Sequence, residues 1–155
     1  VAPAGRWAVL YDGPCGFCAW CVGVLLAWDR RGRLRPVPID SPEGRSLLDP
    51  VPPAARPVSW HLVGPDGRVL SAGAAVGPVL RLLPGGRPLA ALADAAPGLT
   101  ERAYRGVVRH RGTLGRLVPA RSRARARRRI AARARGSAGG CGRTPVAYTS
   151  RDPGD

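Results

Sequence analysis

Lysine is absent from this sequence, and all 25 basic residues are arginine. Alanine, glycine and proline are abundant, so the pattern reads as compositional bias. The formal charge of +15 therefore favours acidic partners, nucleic acid or anionic lipid, without choosing among them. Also missing is any run of roughly 20 apolar residues, the length a membrane helix needs. The longest stretch free of charge, Gly13 to Trp28, falls short of it. No charged leader precedes the first apolar stretch, so a protein of the cytoplasm without a membrane span is the expectation. Histidine is limited to His61 and His110, which stand isolated and read as ordinary surface or core residues.

Cysteine is scarce too, but it is not scattered. Three of the four cysteines fall in "YDGPCGFCAWC", Tyr11 to Cys21, and the fourth is Cys141. In an intracellular chain of this size, cysteines so placed suggest redox or metal chemistry more than structural disulfides. The 155 residues, 45% of them hydrophobic, allow one domain with a single core plus an appendage.

Arg6 to Asp12 reads as a buried strand that ends at an Asp-Gly turn. From Cys15 to about Arg31 the pattern is helical, with Phe17, Cys21, Val24, Leu25 and Trp28 on one face. "LRPVPID", Leu34 to Asp40, is a second strand with a defect. Pro36 and Pro38 lack N–H groups on the same side, which predicts a place at the edge of a sheet. Ser41 and Pro42 then start a short helix. "GPDG", Gly64 to Gly67, joins two apolar runs, Val58 to Val63 and Arg68 to Leu70, as a hairpin.

Ala74 to Leu83 is predicted helical with Pro78 at its start or at a kink, and Pro88 to Ala95 is a further helix. Thr100 caps a last helix to Arg111, with Leu99, Ala103, Val107 and Val108 on one face and Arg102, Arg105 and Arg109 on the other. The order β-α-β-(α)-β-β-α-α suggests a mixed sheet carrying helices. One domain and an appendage follow: residues 1–118 form the folded unit, and residues 119–155 form an Arg-rich tail. The tail holds ten arginines and two aspartates and has almost no large apolar residues. It is expected to be disordered or marginally helical, with no face to bury.

Cys15 stands where a strand ends and a helix begins. Unpaired N–H groups and the helix dipole favour negative charge there. Thiol pKa values of about 8.5 fall to roughly 3.5–7.5 in such places. Cys18 lies one turn on, about 60° around the helix, close enough for a disulfide. Cys15 is then the attacking thiol and Cys18 the resolving one. Cys21 falls roughly 120° and 9 Å from Cys15, too far to bond it in a regular helix, and it reads as a small core residue.

Two alternatives stand beside this exchange chemistry. The Cys15, Cys18 and Cys21 run can bind a metal or an iron–sulfur cluster with Cys141 as a fourth ligand, although no second Cys-X-X-Cys pair is present. The tail can bind nucleic acid through phosphate contacts, but no aromatic residues are interleaved for stacking on bases.

The segment Val9 to Gly44, with Asp12, Cys15 and Cys18 in an Asp-x-x-Cys-x-x-Cys pattern, resembles the DCC family of thiol–disulfide oxidoreductase-like proteins. The resemblance continues more loosely through "VLSAGAAVGPVLRLL" and "ERAYRGVVRHRGTLGRL", covering roughly Arg6 to Val118. It implies an α/β, thioredoxin-like mixed sheet of about four strands with flanking helices. It also implies protein-disulfide reductase chemistry without a cofactor or metal, on a disulfide-bearing protein or small molecule. Within it, Asp12 orients the turn, accepts a backbone N–H or exchanges a proton with the cysteines; a plain turn-forming Asp before Gly is the bland option. Pro57 is the candidate for the substrate-binding cis-proline that thioredoxin-like proteins place opposite their cysteines. Cys21 and the arginine tail depart from the family pattern.

Overall fold

In the computed structural model, which describes residues 5–57 and 59–138, the run after Arg6 is strand β1 (Trp7–Tyr11). Its side chains alternate between two cores, as a two-residue period requires. Val9 and Tyr11 pack with Leu34, Leu62 and the helices α1 (Gly16–Trp28) and α3 (Val76–Leu82). Ala8 and Leu10 face the other way, with Val37, Ile39, Leu48 and Val63. β1 pairs in parallel with β2 (Leu34–Pro38) and antiparallel with β3 (His61–Val63), which pairs antiparallel with β4 (Val69–Ser71). The mixed sheet runs β2-β1-β3-β4.

The two prolines explain the edge. Ile39 N–H donates to Tyr11 O at 3.0 Å, so odd-numbered residues of β2 direct their N–H groups at β1. Leu34, Pro36 and Pro38 face away. Leu34 N–H is taken by the Asp29 carboxylate at 2.8 Å, and the prolines have nothing to donate. Ser41 Oγ accepts from Gly44 N–H at 2.9 Å and opens α2 (Pro42–Leu47) as expected. In the β3–β4 turn Gly67 takes φ +81° and donates to Gly64 O, a conformation that favours glycine.

After β4 a short 3₁₀ turn (Ala72–Ala75) leads into α3, where Pro78 occupies the first turn and disrupts no helical bond. Helix α4 (Arg87–Ala95) follows. Helix α5 (Pro97–Leu117) begins earlier and ends later than the sequence suggests. Pro97 opens it, and Thr100 does not cap it: its Oγ donates to Ala93 O and Ala96 O from within the first turn. The expected apolar face of α5 is not core either, since Leu99 and Val107 are exposed.

The largest departure lies in the Arg-rich segment, of which residues 139–155 fall outside the described residues. Residues 120–138 form helix α6 (Ala120–Ala138), and α6 is docked rather than loose. Helix α1 is apolar nearly all round, so covering it on the sheet side alone would leave apolar surface in water. Its sheet-facing residues are Ala19, Val22 and Leu26, not the Phe17/Val24 face that periodicity selects; Val24 is exposed. Ala126 of α6 is buried against Gly23 on the adjoining flank, so close that a Cβ at position 23 would stand 2.6 Å from the Ala126 Cα. Ile130 reaches the main core. Arginine content misleads here because only small residues are needed where two helices touch closely, and alanine is not read as apolar drive.

The helices run side by side in the same direction, and a buried carboxylate locks their far ends. Asp29 is 1% exposed and accepts from Arg33 N–H, Leu34 N–H and Arg133 Nη1, the last at 2.8 Å. Arg133 also donates to the carbonyls of Leu26, Asp29 and Leu34. No helix among the described residues is long and apolar enough to cross a membrane.

Gly23→Ala tests the α1–α6 contact. It adds a methyl group where no space exists, and such overpacking costs about 1–3 kcal/mol. Urea unfolding should show a lower midpoint with an unchanged slope; an unchanged midpoint means that α6 is not held against α1.

Candidate functional site

β1 delivers Tyr11 and Asp12 to the C-terminal edge of the sheet, and the Gly13-Pro14 turn reverses the chain into α1. Cys15 is the N-cap, in extended backbone conformation (φ −69°, ψ 109°). Its Sγ accepts from Cys18 N–H at 3.3 Å, the contact a serine or aspartate oxygen makes at other helix starts. Cys18 Sγ donates to the same sulfur at 2.7 Å, and both residues are free thiols. The backbone therefore holds the two sulfurs less than about 1 Å beyond bonding distance.

Asp12 completes the group: its carboxylate and the sulfurs of Cys15 and Cys18 all lie within 4.8 Å of one another. Cys21 is not among them, so the three-sulfur set needed for a cluster is not gathered in the described residues. Cys141 lies outside them. The Asp12 carboxylate makes no hydrogen bond among the described residues, so it is not tied up in the turn.

Two spaces open on either side of the pair. On the Cys18 side lies a cavity of about 290 Å³, almost wholly apolar. Cys18, Cys21, Val22, Trp60, Tyr104 and Pro57 are among its walls. On the Cys15 side lies an open groove of about 500 Å³ in which arginines predominate. Cys15 borders only the groove and Cys18 only the cavity.

This asymmetry sets the protonation. Burial, the hydrogen bond to Cys15, and the charges of Cys15 and Asp12 push the Cys18 thiol up to about 12, against a smaller opposing pull from Arg111. Burial pushes Cys21 up to about 11. Cys21 is thus a half-buried wall residue of the cavity.

Pro57 also lines the cavity, but no cis peptide bond occurs among the described residues, so the expected cis-proline is not formed at Arg56–Pro57. The loop is held by His61 instead. Burial lowers the His61 pKa, so the ring is neutral. Its Nε2–H donates to Arg56 O at 3.0 Å, which leaves Nδ1 to accept from Ser71 Oγ at 2.7 Å. Tyr104 Oη accepts from Trp60 N–H at 3.2 Å and fixes the next stretch of wall. Exposed His110 takes no part; its Nδ1 bonds Gly106 O in its own helix.

Sequence reasoning missed Tyr104, Trp60 and the groove arginines. Tyr104 and the arginines carry a signal only as spacing on α5 and α6, and Trp60, in the loop before β3, carries none.

A family model described as DCC1-like thiol-disulfide oxidoreductase matches residues 9–117. No curated protein and no solved structure matches the chain.

The raised thiols predict an alkaline limit to stability. Unfolded thiols ionise near 9.0, whereas the folded chain keeps protons on Cys21 to about 11 and on Cys18 to about 12. Burial raises Tyr11 and Tyr104 in the same sense. Between these values the folded state binds more protons than the unfolded one, so stability falls as pH rises above 9. No lysine titrates in that window to blur the effect. Chemical denaturation at pH 8, 10 and 11 should give a steadily falling midpoint; a flat profile rules the raised thiols out.

Proposed function

The chain belongs to the DCC1-like thiol-disulfide oxidoreductase family, and from that premise we propose that it reduces disulfides through Cys15 and Cys18. One observation carries the proposal: Cys15 Sγ caps α1 and accepts from both the N–H and the thiol of Cys18. Those two donors stabilise an anion on the sulfur that borders the open groove.

The Cys15 thiolate attacks one sulfur of the substrate disulfide. The substrate S–S bond breaks, a mixed disulfide forms, and the second substrate sulfur leaves as a thiolate that takes a proton from water. Cys15 then carries no charge and accepts no bond from Cys18, so two of the causes that hold the Cys18 proton disappear. Asp12, unbonded and in the same group, takes that proton, and Arg111 favours the thiolate that results. Cys18 attacks Cys15 Sγ, the mixed disulfide breaks, and the second substrate thiolate departs. Two electrons have passed to the substrate, leaving a Cys15–Cys18 disulfide that an external dithiol reduces.

A reducing compartment such as the cytoplasm suits this cycle, because dithiol donors are kept reduced there. Exchange chemistry stands ahead of a metal carrier because Cys21 is turned to the cavity wall. It stands ahead of nucleic-acid binding because the described part of the arginine segment is built into the fold.

Mass spectrometry of three variants tests the mechanism. Cys15→Ser should lose disulfide reduction by more than about 100-fold, Cys18→Ser should accumulate a mixed disulfide on Cys15, and Cys21→Ser should retain most activity. Equal loss from Cys15→Ser and Cys21→Ser contradicts the two-thiol mechanism. Asp12→Asn should slow resolution of the mixed disulfide by about 10- to 100-fold without slowing its formation comparably.

A further inference from the structure

The groove beside Cys15 has a charge that reduction of a disulfide does not by itself require. Arg109, Arg111 and Arg116 come to it from α5 and Arg123 from α6, with Asp12 as the opposing carboxylate. None of the four arginines forms an ion pair with a carboxylate among the described residues. Among the described residues, three other carboxylates are engaged elsewhere: Glu101 holds Arg105, Asp94 holds Arg81 and Asp29 holds Arg133. The two helices meet α1 closely at this point. Gly115 of α5 lies against Phe17, and the Arg123 side chain lies 3.7 Å from where a Cβ on Gly16 would stand. Four cations gathered around a single carboxylate repel one another, and a further bound anion relieves that repulsion. Guanidinium groups also match carboxylates in geometry, as paired donors to paired oxygens.

Resting on the thiol–disulfide reading above, we infer that the disulfide taken by Cys15 is a small molecule bearing carboxylates close to its sulfurs. The groove volume of about 500 Å³ suits such a ligand, since small-molecule sites occupy roughly 300–1,000 Å³. The carboxylates sit among the four guanidinium groups and hold one sulfur in line with Cys15. Exchange then follows the balanced course given above, with electrons supplied by the Cys15–Cys18 dithiol. The apolar cavity is the competing entrance, but it is bordered by Cys18, the resolving thiol, and not by Cys15.

Three disulfides of similar length separate charge from chemistry: dithiodipropionate, a dianion; hydroxyethyl disulfide, neutral; and cystamine, a dication. Reduced full-length protein is mixed with each, and formation of the Cys15–Cys18 disulfide is timed by mass spectrometry. Each rate is divided by the same compound's rate with dithiothreitol. At low salt the dianion should exceed the dication on the order of 10-fold or more, and the gap should narrow as salt screens the groove. Arg116→Gln and Arg123→Gln together should shrink the gap several-fold. Arg123→Lys should shrink it less, and Arg135→Gln, at the far end of α6, should leave all three rates unchanged. Equal normalised rates, a gap untouched by the double variant, or fastest reaction with the neutral compound overturns the proposal; the last points to the cavity. If no disulfide oxidises the pair faster than an unfolded control, it is the thiol–disulfide reading itself that fails.

Discussion

Helix α1 has no polar face, and the rest of the structure answers to that fact. From Gly16 to Trp28 it carries no charged residue, so more of its surface is apolar than the sheet alone can cover. The sheet covers Ala19, Val22 and Leu26. For the flank beside them the chain uses α6, whose Ala126 meets Gly23 at a separation only two small residues allow. Once α6 is there, its polar residues have fixed places. Arg133 falls on the buried carboxylate of Asp29, which would otherwise be a costly group to bury. Arg123 falls beside Gly16, in the groove that Cys15 borders. A demand of packing thus decides what charge surrounds the chemistry.

The same helix divides the cysteine pair between two environments. Its first residue faces the groove and the next turn faces the cavity, so sulfurs in contact experience different surroundings. In the cavity, apolar walls make an anion expensive, and Cys18 holds its proton. At the helix start, backbone and thiol donors converge on Cys15. Part of what holds the Cys18 proton is the bond to Cys15 and the charge of Cys15, so the two sulfurs are coupled across the two environments. His61 and Tyr104 matter for this reason, although neither reaches the sulfurs: they fix the loop and the wall that keep the cavity apolar on the Cys18 side.

Much of this was legible in the residues, and the failures have physical causes. Pro36 and Pro38 placed β2 at the sheet edge because a missing N–H is an absolute defect, readable without context. The Gly64–Gly67 turn and the Ser41 cap were equally local. The face of α1 was misjudged because a helix apolar on every side offers no periodicity to read. Thr100 was taken for a cap because its side chain suits one, but Pro97 sets the start three residues earlier. Helix α6 was missed because its contact rests on alanine, one isoleucine and a distant aspartate. None of these has meaning until α1 is in place. Cys15 and Cys18 are legible from their spacing and Asp12 from the family resemblance, and the three are found together. The arginines around them are not legible, because their convergence depends on helices that the sequence presents as unrelated.

The absence of lysine, at first a reason to discount the charge, gives it a definite property. Arginine stays protonated beyond pH 12, so the groove keeps its cations throughout the range in which Cys18 and Cys21 titrate. A lysine-lined groove would lose charge near 10 and would confound its own titration with that of the thiols. Here the field acting on an incoming disulfide is constant. Changes of rate with salt then report the groove. The family match ends at residue 117, between Arg116 and Arg123. Cys15, Cys18 and three of the groove arginines therefore lie within the matched region. The fourth arginine enters with α6, the helix that α1 requires as its cover.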